Sequence, residues 1–173
     1  MATFAFKKRG YTMPYHVHTD AAFKATIDLP ALILNGGLVN SSGVDTSLPA
    51  TGFAANDILQ VFSVPAGFWL HAVGVRVKTV EGAACTLDIG NVSATQTHVL
   101  GANADGYQGT CNLNALGTQI ALVADDGLGR NTGAGLGLAG VVFVTDGTID
   151  ITFNSADTNA AIFDVWAIGW KCW

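Results

Sequence analysis

Charge is what this sequence has least of. It carries 8 basic and 13 acidic residues among 173, or 12%, where an ordinary globular domain carries about 25%. A folded monomer of this size exposes on the order of 8,000 Å², so each charge would have to keep roughly 380 Å² of surface in water. Such a surface implies that something else covers it. Hydrophobic residues make up 50%, which excludes a disordered chain. A net charge of −5 argues against a nucleic-acid binder. Glutamate is nearly missing, since Glu81 is the only one among the 13 acids. A glycosidase pair would therefore have to be two aspartates. The three cysteines, Cys85, Cys111 and Cys172, are odd in number and have no C-x-x-C spacing. They read as buried free thiols, with a single disulfide or a metal site as the alternative.

Long apolar runs are also missing. The uncharged stretches 89–104, 106–124 and 131–145 are interrupted by Asn, Gln, Thr and Gly. None offers the ~20 apolar residues of a membrane-spanning helix, so no membrane partner is expected. At the start, the basic residues follow a short apolar patch, the reverse of a secretory signal. Synthesis in the cytoplasm without processing is the expectation. No nucleophile elbow, His-Glu-x-x-His pair or phosphate-binding loop occurs. The glycine-rich run 127–133 lacks the following helix that a dinucleotide fingerprint needs. The chain reads as non-enzymatic, with no catalytic residue, metal or cofactor. His16 and His18 would share one face of an extended strand, yet they read as surface or interface histidines.

What the sequence does have is β-strand pattern. With 21 glycines and 12 aspartates, helix signals are weak, and no amphipathic pattern exceeds two turns. Strands are expected over 58–64, 68–80, 85–89, 120–124, 141–144, 148–153 and 161–170. Period-two alternation over 68–80 sets Trp69, His71, Val73, Val75 and Val77 on one face and Arg76 and Lys78 on the other. Residues 68–89 read as a hairpin, and Asp146-Gly147 as a second hairpin turn. Val73, Val75, Val77, Leu87, Ile89, Ile149, Ile151 and Phe153 should be buried. Arg76, Lys78, Asp88, Asp150 and Thr152 should point outward. The fold class is all-β: an antiparallel, jelly-roll-like β-sandwich with an extended N-terminal arm.

The arm is expected within residues 1–55, with one edge strand over 26–34 interrupted by Pro30, and the sandwich over 56–173. Residues 1–24 hold four of the eight cations against one acid, a charge of +3, while residues 25–173 sum to −8. The interface candidates on the arm are Lys7, Lys8, Arg9, Tyr11 and Tyr15. Those at the other end are Trp166, Trp170 and Trp173, because clustered Trp on a charge-poor protein marks an interface. Sugar stacking is the alternative use of such a cluster.

The stretch Asn56-Asp57-Ile58-Leu59-Gln60-Val61-Phe62-Ser63-Val64-Pro65-Ala66-Gly67, followed by Val73-Gly74-Val75-Arg76-Val77 and Leu87-Asp88-Ile89-Gly90, resembles a group of small virion proteins of tailed bacteriophages. The resemblance covers residues 56–90, with a weaker echo over 161–170. It implies a capsid decoration or cement protein, commonly a homotrimer, on the outer surface of the virion and made in the host cytoplasm. Its implied partners are the major capsid protein and other copies of itself. The alternative from another class is a carbohydrate-binding β-sandwich, such as a receptor-binding or tail module.

Overall fold

The computed structural model describes residues 3–6, 21–40, 42–91, 103–122, 141–143, 145–155 and 157–171. In chain order the elements are β1 (Thr3–Phe6), β2 (Ala21–Asp28), α1 (Leu29–Asn35), β3 (Leu38–Asn40), β4 (Asp45–Thr46) and β5 (Ile58–Val64). There follow β6 (Phe68–Thr79), β7 (Thr86–Asn91), β8 (Asn103–Asn112), β9 (Gly117–Leu122), β10 (Val141–Val142), β11 (Gly147–Phe153) and β12 (Ile162–Lys171). One sheet runs β4-β3-β1-β5-β11-β7-β8. The other runs β10-β6-β12-β2, with β9 also paired to β6. The protein is an all-β sandwich. Its strands pair antiparallel except for β1, which lies parallel to β5. No helix among the described residues is long and apolar enough to cross a membrane.

The inward faces follow from the alternation. Val73, Val75, Val77, Leu87, Ile89, Ile149, Ile151 and Phe153 are all buried, and Arg76 and Lys78 are exposed. The eight buried apolar residues pack with Phe23, Phe62, Phe68, Phe143 and Phe163 into one core. Two outward assignments are corrected: Asp150 is fully buried and Thr152 nearly so. β11 is flanked by β5 and β7, and all seven of its residues are buried, so its second face is covered as well. Buried Tyr107 lies near Asp150. Burial first, then that negative charge, raises the Tyr107 hydroxyl well above its usual range.

The expected hairpins are also corrected. β6 and β7 belong to opposite sheets, as do β10 and β11, so each connection crosses between the layers. Period two shows that a strand has an inward face, but not whether its neighbour lies beside it or across from it. At Asp146 the turn chemistry serves a different contact, its carboxylate accepting from the Ala66 amide at 2.8 Å. Residues 29–35 are a helix, not the end of a strand. Asp28 caps it by accepting from the Ala31 amide at 3.0 Å, and Pro30 sits in the first turn, where its missing N–H costs nothing. Within the span of the expected N-terminal arm, residues 3–6 and 21–28 are paired strands, and 7–20 lie outside the described residues.

Cys85 and Cys111 are buried free thiols, and Cys172 lies outside the described residues. Burial raises the Cys85 thiol. Burial, then the charge of Asp88, pushes Cys111 up to about 12. Thiolate is the reactive species, so neither residue should be alkylated in the native protein at neutral pH. Site-resolved mass spectrometry should find iodoacetamide adducts at both only after denaturation. Labelling of Cys111 in the native state would contradict this environment.

Candidate interaction face

The outer face of the β2-containing sheet carries most of the candidates that can be placed. Its construction starts at a β-bulge. Ile168 pairs with Ala72 and Gly169 with Leu70, which leaves His71 as an extra residue on β6. The bulge shifts the alternation by one position. Phe68 and Leu70 are therefore buried, while Trp69 and His71 are half-buried on the side opposite the valines. The expectation that Trp69 and His71 share the valine face is thus overturned by one inserted residue.

Trp170 meets Trp69 edge to face, with ring centroids 4.2 Å apart and an interplanar angle of 84°. His71 lies 5.6 Å from Trp170, and its Nδ1 is buried with no hydrogen-bond partner. Farther along β12, Trp166 lies across Gly74. A Cβ at that glycine would stand 2.2 Å from the indole Cζ2, so only glycine lets the ring settle on the β6 backbone. Ile120 of β9 pairs with Gly74 from the other side and is 61% exposed. Half-buried Ile168 completes this apolar half.

The other half is charged and centres on Asp164, which is nearly fully buried. Its Oδ1 accepts from Thr26 Oγ1 at 2.7 Å and from Lys78 Nζ at 2.5 Å. Its Oδ2 lies 3.2 Å from Lys24 Nζ. Arg76 sits directly across from Asp164 in the β12–β6 register and is exposed. Burial alone would raise the Asp164 carboxyl, but hydrogen bonds from Lys78, Thr26 and Lys24 and the Lys24 charge outweigh it, leaving it at about 2. A carboxyl lowered on folding stabilises the protein above its unfolded pKa. That stability disappears as pH falls through the folded value. Both lysines are largely solvated, so the contribution is modest, roughly 1 kcal/mol. Acid titration of Asp164→Asn should therefore show less loss of stability between about pH 4 and pH 2 than the parent. Parallel acid curves would remove Asp164 from the acid response.

The structure thus brings Trp166 and Trp170 onto one face with Lys24, Arg76 and Lys78. Lys7, Lys8, Arg9, Tyr11, Tyr15 and Trp173 lie outside the described residues. Trp69, His71 and Ile120 were missed as members of the face. The bulge that exposes the first two leaves no local sequence signal, and Ile120 could have been found only from the register of β9. Among the described residues no group of three or more His, Cys, Asp or Glu is placed to hold a metal.

No known protein family and no curated protein matches this chain by sequence. Solved structures do match it by shape. A chain in the structure described as the cyanophage Pam1 capsid asymmetric unit aligns over 96% of this chain and 94% of its own, at TM-score 0.44 and 14% identity. A chain in the structure described as the capsid of Ralstonia phage GP4 aligns over 95% of this chain and 93% of its own, at TM-score 0.53 and 14% identity. This sandwich shares the fold of that Ralstonia phage GP4 chain over almost its whole length.

Proposed function

We propose that this chain is a non-enzymatic structural protein of a tailed-bacteriophage virion. In this reading it is a capsid decoration protein that binds the outside of the head and stabilises contacts between major capsid subunits. The observation that carries the reading is the end-to-end fold match to a chain of the Ralstonia phage GP4 capsid, covering 95% of one chain and 93% of the other. The resemblance over residues 56–90 supports it independently. Those residues build β5, β6 and β7, which lie in both layers of the sandwich. The charge deficit supports it too, because a surface with so few ions suits an assembly better than free solution.

Purified protein mixed with capsids assembled without it should sediment with them and raise their resistance to heat. Absence of both effects would remove the decoration role. In isolation the protein should be a homotrimer of 17.9 kDa chains, burying roughly 2,000 Å² or more. Sedimentation equilibrium checks the mass, and a monomer at micromolar concentration would contradict it.

The aromatic patch favours a second reading, glycan binding. Within it the Trp69–Trp170 pair meets edge to face, so those two rings form no coplanar platform. A glycan array answers the question directly. Binding abolished by Trp170→Ala would favour the carbohydrate module over the virion role.

A further inference from the structure

Charge is distributed on the outer face of β2, β12, β6 and β9 in a way that selects its partner. Lys24, Arg76 and Lys78 surround Asp164 alone, giving a local charge of +2 from three of the eight cations in the chain. The whole chain is −5, so everything outside this cluster sums to −7. Beside the cluster lies an apolar row of Trp166, Ile168, Trp170 and Ile120, and Ile120 is left 61% exposed. The exposed Arg76 has no ion-pair partner among the described residues. Two such faces brought together would set +2 against +2. The same face set on the remaining surface of a second copy would bring +2 toward a surface that includes the exposed Asp45, Asp146 and Asp157.

We infer that this face docks on the acidic surface of a second copy of the chain, head to tail, so that each protomer offers two different surfaces to its neighbours. Contacts of that kind close into rings when the rotation permits, whereas face-to-face contacts stop at a dimer. The apolar row supplies burial, and the cations fix direction and partner. This deepens the assembly reading above and rests on it only in taking the protein to self-associate. The pure protein therefore tests it without any capsid.

Sedimentation equilibrium on the full chain reads the contact through two variants that leave the core alone. Ile120→Asp places a charge in the apolar row and should weaken association about 100-fold. Arg76→Gln removes the cation without an ion partner and should weaken it about tenfold. Thermal melts at a dilution where every form is monomeric should show both variants folded as stably as the parent. Raising salt from about 50 to about 500 mM should dissociate the parent, because attraction between opposite charges is screened, and should affect Arg76→Gln less. Tighter association in high salt or in Arg76→Gln would mean like faces meet, and would overturn the head-to-tail contact. Association untouched by Ile120→Asp would remove this face from the interface. A parent that stays monomeric would overturn the inference altogether, while capsid co-sedimentation by that monomer would leave the virion role standing.

Discussion

Replacing Glu81 with alanine is expected to lower stability by about 2–4 kcal/mol. This residue is the only glutamate in the chain, and its carboxylate binds three consecutive backbone amides. Oε1 accepts from Asn159 N at 2.7 Å, Oε2 accepts from Ala161 N at 2.8 Å, and Ala160 N lies within 3.1 Å of both. The contact ties the crossing between β6 and β7 to the segment that enters β12. Charged acceptors on backbone N–H groups each contribute about 1.5–3 kcal/mol. Asn159 and Ala160 are half-buried, so water recovers part of the loss and the total falls below three full bonds. Glu81→Gln keeps one carbonyl acceptor and should lose about half as much. At about 2–4 °C per kcal/mol for a domain of this size, the alanine variant should melt some 5–15 °C lower. A melting temperature within a degree of the parent would show that the carboxylate clamps nothing in solution.

The second large effect lies under the same loop. Phe153 at the end of β11 stacks on Phe53, with ring centroids 4.1 Å apart and planes within 10°. Both side chains are fully buried. Phe53 is fixed by reciprocal backbone bonds with Thr158, at 3.0 and 3.1 Å. Phe153→Ala should cost about 3–5 kcal/mol through lost burial plus the cavity left behind. Phe53→Ala should cost a similar amount. The double variant should fall short of the sum by about 0.5–1.5 kcal/mol, the coupling of a packed aromatic pair. Urea unfolding of the four proteins measures it. Strict additivity would mean the rings do not touch in solution. For comparison, Val75→Ala in the centre of β6 should cost about 1–3 kcal/mol.

Much of the fold is legible in the sequence wherever alternation is clean. The valines of β6 and the isoleucines of β11 give their inward faces directly, because period two and a single core leave one consistent choice. Three things are not legible. β8 carries Asn103, Asp105, Gly106 and Gly109, residues with low strand propensity, and it is held by pairing with β7 across two irregularities in register. The assignment of β6 and β7 to opposite sheets depends on contacts far apart in sequence. The bulge at His71 is visible only once Ile168 and Gly169 have partners. The candidate face inherits this limit. Trp166 and Trp170 stand out by residue type alone, but Trp69, His71 and Ile120 join them through register.

The strand order has a consequence for how the protein is made. β11 and β12 are the last strands in sequence, yet each lies inside its sheet, β11 between β5 and β7 and β12 between β6 and β2. While the chain is still leaving the ribosome, β5 and β7 have no strand to join them. β2 must wait for more than a hundred further residues before the partner it pairs with here exists. The sheet that holds β11 cannot close until synthesis has passed residue 153, nor the sheet that holds β12 until it has passed residue 171. Folding therefore waits for the late strands and is dominated by distant pairings, which makes it slow and leaves the nascent chain open to edge-to-edge aggregation. Ribosome-stalled chains ending before residue 147 should be degraded by protease as unfolded polypeptide, with no resistant core, while full-length chains released from the same ribosomes become resistant.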